Sequence, residues 1–158
     1  MQADREGIGS ALGKVASGCS ILTVQHAGRE TGVLVSWVQQ ASFDPPAISV
    51  CLKRGRPAAD LIHGAQRFLL NILSDPPTAM FRHFARGFSL DEDAFAGLVT
   101  ERDDFGRVIR ESAAWLGCQV AQVVPVGDHD LYVAEVLAGR TAAERSPYVH
   151  LRRSGFSY

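Results

Sequence analysis

The shortness of the connections between its apolar runs constrains this chain most. A parallel strand pair needs a crossover of about a dozen residues or more, whereas an antiparallel pair closes through a turn of about two. Cys19 to Gln25 reads as a strand, His26-Ala-Gly-Arg-Glu30 as a turn around Gly28, and Thr31 to Trp37 as the returning strand of a hairpin. Asp44-Pro-Pro46 stops that run, because a residue ahead of proline is pushed out of the helical region. In Ala47 to Lys53, Ile48, Val50 and Leu52 alternate with Ser49 and Cys51, which predicts a third strand, and Arg67 to Leu73 predicts a fourth. Ala113 to Val124 and Leu131 to Gly139 read as longer strands joined through Val124-Pro-Val-Gly-Asp-His129, and a short strand is expected near Tyr148 to Arg152. Six or seven strands joined this closely predict a mainly β, antiparallel sheet. Closing it into a small barrel removes exposed edges.

Helices are few and short. Gly7 to Ala16 is predicted as one, weakened by Gly9 and Gly13 and ended by Gly18. Pro57 to Gly64 suits a second, with Pro57 at its first position and Gly64 as its C-terminal cap. Pro77 to Ala85 suits a third and carries Met80, Phe81 and Phe84 toward the core. Arg86 to Arg107 is irregular and mixed in charge, the natural place for a flexible lid or partner-facing segment. With 158 residues, 46% of them hydrophobic, the chain is read as one domain over 1–158.

Several function classes lose support on composition and motif. Charged residues make up 21% and the net charge is −1, without the basic excess of a nucleic-acid binder. No apolar stretch approaches the roughly 20 residues needed to span a membrane, and Met1 to Gly7 lacks a signal-peptide layout. A soluble, cytoplasmic protein is therefore expected. Cys19, Cys51 and Cys118 lie far apart in apolar runs and read as buried free thiols in a reducing compartment. Gly7-Ile-Gly-Ser-Ala-Leu-Gly13 is one residue too long for a dinucleotide fingerprint and has no strand before it. No P-loop, nucleophile elbow or histidine pair at ligand spacing occurs, so no metal is expected.

Three stretches carry candidate chemistry. Lys53-Arg-Gly-Arg-Pro57 places three cations around a glycine where a helix begins, which suits a phosphate or is simply a solvated basic turn. Gly127-Asp-His129 is a tight turn that either aims a histidine into a cleft or only joins two strands. Ser36, Trp37, Gln39, Gln40 and Ser42 form a polar run that suits the edge of a heterocycle, with Trp37 to stack on it, or else a polar loop around one core tryptophan. Asn71, inside an apolar strand, needs partners if buried, and backbone groups are the expected ones.

The order of these pieces resembles the flavin reductase-like family of split β-barrels, from about Ser10 to Tyr158. The carriers are Gly18, Gly32-Val-Leu-Val-Ser-Trp-Val-Gln-Gln-Ala-Ser42, Phe43-Asp-Pro-Pro46, Phe68-Leu-Leu-Asn-Ile-Leu73 and Gly127-Asp-His129. Ala11-Leu-Gly-Lys-Val-Ala-Ser-Gly18, Arg29-Glu-Thr-Gly32 and Val149-His-Leu-Arg-Arg-Ser-Gly-Phe-Ser-Tyr158 are most similar to the C-terminal flavin reductase module of cyanobacterial diflavin (flavodiiron) proteins.

The resemblance implies an antiparallel FMN-binding split β-barrel of Greek-key type, assembled as a homodimer with an FMN in each of two clefts. It implies that Ser36, Trp37, Val38, Gln39, Gln40, Ala41 and Ser42 contact the flavin ring. Lys53, Arg54 and Arg56 would hold the phosphate, with the choice among them open because relatives carry serine or threonine where this chain has Gly55-Arg-Pro57. His129 is the implied catalytic residue, and Asp128, His129, Arg152 and Tyr158 would bind the nicotinamide. The implied activity is NAD(P)H:flavin oxidoreduction, with NADH or NADPH as co-substrate. Electrons would pass on to a flavodiiron core that reduces dioxygen or to a monooxygenase component. The alternative is an FMN-binding electron carrier that does not oxidise nicotinamide.

Overall fold

The computed structural model describes residues 4–77 and 79–157. In chain order the elements are α1 (Arg5–Leu12), β1 (Ser17–Gly18), β2 (Ser20–His26), β3 (Arg29–Val35), β4 (Val38–Phe43), β5 (Pro46–Lys53), α2 (Pro57–Ala65) and β6 (Arg67–Ile72). Then follow α3 (Ala79–Ala85), β7 (Thr100–Asp103), β8 (Gly106–Ile109), β9 (Ala114–Val126), β10 (His129–Thr141) and β11 (Val149–His150). One seven-stranded antiparallel sheet runs β3-β2-β6-β9-β10-β5-β4, and the pairs β1–β11 and β7–β8 flank it. The sheet curls until β3 touches β5, and no ladder joins the two among the described residues. That gap is the split of the barrel. Bulges in the β9–β10 ladder, near Val133/Ala134 and Val136/Ala138, supply the extra bend that such curling needs.

The expected alternation in β5 holds, with Ile48, Val50 and Leu52 buried in the barrel core beside Leu22, Phe68 and Tyr132. Residues 20–24 of β2 are all buried. Leu22 and Val24 face the barrel core, while Ile21 belongs to a second cluster with Cys19, Met80, Phe84, Phe88 and Phe95. A strand covered on both faces loses the period of two and reads as a continuous apolar run. The β2–β3 turn uses Ala27 (φ 49°) and Gly28 (φ 77°), the left-handed pair that closes a two-residue hairpin.

Four expectations are corrected. The run 36–42 is a loop only at Ser36 and Trp37; from Val38 it is strand β4, paired with β5. Arg86 to Arg107 is no free lid, because Phe88, Ala94 and Phe95 are buried in the second cluster and residues 100–109 form the β7–β8 hairpin. Gly64 does not cap α2; Gln66 does, at φ 55° with its N–H on the Ile62 carbonyl. A side chain at Gly64 would instead run into the His26 ring. Of the three free cysteines only Cys19 and Cys118 are buried, while Cys51 is half-buried.

Asn71 is fully buried and behaves as expected. Its Nδ2 donates to the Arg107 carbonyl at 2.9 Å and to the Ile21 carbonyl at 3.3 Å, and its Oδ1 accepts from the Ile109 N–H at 2.8 Å. Thr23 Oγ1 donates to the Arg107 carbonyl at 2.8 Å and accepts from its N–H at 2.9 Å. Two polar side chains of the main sheet therefore fasten β8 across it.

Candidate functional site

The β5–β10 register sets His129 opposite Lys53, so the basic turn after β5 and the turn before β10 lie side by side. The Arg54 N–H bonds the Asp128 carbonyl at 3.1 Å and locks the two turns together. Gly55 takes φ 78° and Gly127 φ 57°, conformations that glycine adopts without a Cβ penalty. Ser36 and Trp37 form the break between β3 and β4, and the Trp37 carbonyl accepts the Cys51 N–H at 3.0 Å.

The Trp37 indole meets the His129 imidazole with centroids 4.7 Å apart and planes at 40°. The Arg152 guanidinium lies 5.0 Å from the Trp37 ring centroid. His129 is 8% exposed, and its Nδ1 is 2.7 Å from Asp128 Oδ1. This hydrogen bond holds the Asp128 carboxyl below the usual carboxylate range and fixes the imidazole's orientation.

Two compartments meet at Trp37. The inner one, about 330 Å³, is lined by Val33, Leu34, Val35, Phe81 and Phe84, with Ser36, Cys51, Lys53, Arg56 and His150 as polar members. The outer one, about 530 Å³, is lined by Arg5, Lys53, Asp128, His129, Arg152, Gly155 and Phe156. Trp37 and Lys53 belong to both. Residues 152–156 wall the outer compartment by clasping α1: the Gly155 N–H bonds the Gly9 carbonyl at 2.7 Å, and the Arg5 guanidinium sits 4.4 Å above the Phe156 ring. A side chain at Gly13 would press on the Arg152 carbonyl at 2.8 Å, so this clasp depends on a bare backbone there.

Of the residues singled out from the sequence, Ser36, Trp37, Lys53, Arg56, Asp128, His129 and Arg152 come together here. Arg54 turns away to an ion pair with Asp130 at 2.9 Å. Gln39, Gln40 and Ala41 lie exposed on β4, and Val38 packs against the barrel core. Ser42 continues along the same edge strand. Tyr158 lies outside the described residues. Cys51, His150 and Arg5 were missed. The signal for Cys51 was its parity in β5, opposite to Ile48, Val50 and Leu52, which turns it off the core. Burial raises the Cys51 thiol, and lifts Cys19 to about 11 and Cys118 to about 12. At pH 8 a thiol reagent should therefore modify Cys51 well ahead of the other two, as peptide mapping of the alkylated chain would report; faster labelling of Cys118 would contradict this assignment of burial.

The residues present fit a flavin mononucleotide. The inner compartment offers apolar walls for a flat ring and two cations for a phosphate. Its volume lies at the lower end of the roughly 300–1,000 Å³ usual for ligand pockets.

Comparison with known proteins supports a flavin as the bound group. The model of the flavin reductase like domain matches residues 12–157. Diflavin flavoprotein A 1 of Synechocystis is 34% identical over 151 residues, covering 94% of this chain and 26% of the relative. A putative diflavin flavoprotein A 3 of Nostoc is 32% identical over 94% of the chain and 26% of the relative. The chain thus spans about a quarter of the length of these relatives. Among solved structures, the NADH:FAD oxidoreductase of Streptomyces globisporus superposes with a TM-score of 0.85 at 19% identity, over 97% of this chain and 92% of that one. The styrene monooxygenase flavin reductase of Pseudomonas putida superposes with 0.77 at 26% identity, over 90% of each chain.

Proposed function

Because this chain belongs to the flavin reductase-like family, we propose that it is an NAD(P)H-dependent FMN reductase, a single domain over residues 1–158. The observation that carries this reading is the wall shared by the two compartments. Trp37 and Lys53 line both, so a ring bound inside and a nicotinamide bound outside would meet at one place. When bound, the flavin supplies the hydride-accepting chemistry. The protein supplies position and charge.

Lys53 and Arg56 bind the phosphate, and Ser36 and Trp37 contact the ring. Arg5 and Arg152 draw the anionic nicotinamide cofactor into the outer compartment, and His129, oriented by Asp128, borders the place of transfer. The electrons leave to a further module or to a monooxygenase component, as the names of the relatives and structural neighbours suggest. Gln39, Gln40, Ala41 and Ser42 are assigned to a homodimer interface or to a flavin held against it. The reason is that β4 is an edge of the main sheet and its Phe43 is 90% exposed. Analytical ultracentrifugation should then report twice the 17.1 kDa chain mass, and a monomer at micromolar concentration would remove that assignment.

The deciding experiment is anaerobic mixing of protein and FMN with NADH or NADPH while the flavin absorbance is followed. Rapid bleaching supports the reductase. Bound flavin that stays coloured supports the electron carrier instead. In the reductase, His129→Ala should slow flavin reduction about a hundredfold, within the usual range for a positioned polar group, while FMN affinity changes less than about threefold. Equal losses in both would remove His129 from the transfer step.

A further inference from the structure

We propose that Arg5 and Phe156 hold the adenylate half of the reduced nicotinamide dinucleotide in the outer compartment, an assignment that rests on the reductase reading above. The compartment has two ends. At one, Trp37 and Lys53 also line the inner compartment, and His129 and Arg152 lie against the Trp37 ring. A nicotinamide that gives its hydride to a ring in the inner compartment has to sit at this end. Arg5, Gly155 and Phe156 line the outer compartment only. They meet where the C-terminal segment clasps α1, through the Gly155 N–H on the Gly9 carbonyl. The dinucleotide is one covalent chain, so with its nicotinamide at Trp37 the diphosphate and adenosine extend away from that end, and the clasp is what they meet.

The clasp carries the two kinds of group that an adenylate needs. The Arg5 guanidinium stands 4.4 Å from the centroid of the Phe156 ring. No ion pair joins Arg5 to another described residue. Asp128, the single carboxylate among the described residues lining the compartment, is 2.7 Å from His129 Nδ1. The Arg5 charge is therefore left for an anion, and a guanidinium suits phosphate because its N–H groups match the phosphate oxygens in pairs. Phe156 is 49% exposed, yet its place is set. A Cβ at Gly9 would come within 2.9 Å of the ring, and the Phe156 N–H bonds Ser154 Oγ at 3.2 Å. A seated, half-exposed aromatic ring beside a cation is a stacking surface for a base.

Reduced nicotinamide mononucleotide makes the two ends separable, because it carries the same reacting ring and lacks the adenylate. The full chain, Arg5→Ala, Phe156→Ala and Phe156→Tyr would be assayed with saturating FMN. The substrates are whichever of NADH and NADPH reduces the flavin faster and, in parallel, the reduced mononucleotide. We expect the dinucleotide KM to rise about tenfold in each alanine variant while kcat changes less than about twofold, the pattern of binding lost equally from ground and transition states. Most of that rise should vanish in Phe156→Tyr, which keeps the ring. The mononucleotide kcat/KM should stay within about twofold of the parent value in every variant. A merely structural role in the clasp would impair both substrates alike, since Arg152 and its contact with Trp37 would shift with the segment, and that result would overturn the inference. An unchanged dinucleotide KM in either alanine variant would overturn it as well, as would no recovery in Phe156→Tyr. Failure of the parent chain to oxidise either substrate would overturn the reductase reading and this assignment with it, whereas parental KM values in active variants would leave that reading standing.

Discussion

A Lys53→Ala, Arg56→Ala double variant should bind FMN about a hundredfold more weakly than the parent chain. Hydrogen bonds to charged groups contribute about 1.5–3 kcal/mol each. Lys53 is exposed and Arg56 half-buried, so water screens part of both contributions and a combined loss of about 2.7 kcal/mol is the reasonable expectation. Two controls make the result specific. Riboflavin, which lacks the phosphate, should bind parent and variant alike. Arg54→Ala should change FMN affinity less than about threefold, because that guanidinium is spent on Asp130 at the surface. A parallel loss of riboflavin binding, or an Arg54 effect as large as that of the pair, would relocate the phosphate.

The largest stability effect is expected at Asn71, which lines neither compartment. Asn71→Leu keeps the branching of the side chain and removes only its polar atoms. The Ile109 N–H then loses its acceptor in a buried setting, while the Arg107 carbonyl keeps the Thr23 hydroxyl. One orphaned buried donor and two lost hydrogen bonds together amount to about 3 kcal/mol, or roughly a 10 °C fall in Tm for a chain of this size. Calorimetry would measure it. A fall of less than about 3 °C would show that β8 can be held by Thr23 and the Arg107–Glu30 ion pair without Asn71.

The hairpins β2–β3 and β9–β10 were legible because each pairs apolar strands across a turn that glycine closes. Strand β4 was not legible as a strand. Val38-Gln-Gln-Ala-Ser-Phe43 is an edge strand with a single neighbour and mostly exposed side chains, so tertiary pairing with β5, rather than any local pattern, makes it a strand. The β7–β8 hairpin escaped for a related reason. Thr100-Glu-Arg-Asp103 reads as charged surface, and what holds its partner strand is Thr23 and Asn71, distant in sequence.

The site divides in the same way. The basic turn and the Gly127-Asp-His129 turn show their chemistry in their composition. That they meet is a consequence of the β5–β10 register, which no local pattern states. Arg54 and Arg56 look equivalent in sequence; only the position of Asp130 in β10 separates them. Arg5 gave no signal, because its place depends on a contact between the two ends of the chain.

That contact has a consequence for electron delivery. Arg5 and the 155–157 segment both border the outer compartment, so any polypeptide joined ahead of α1 or beyond the final residues sets out from its mouth. A redox partner tethered there by a short flexible linker would be held at an effective concentration of about a millimolar. Its encounter with the reduced cofactor would then be limited by the linker's reach and stiffness rather than by how much partner the solution contains.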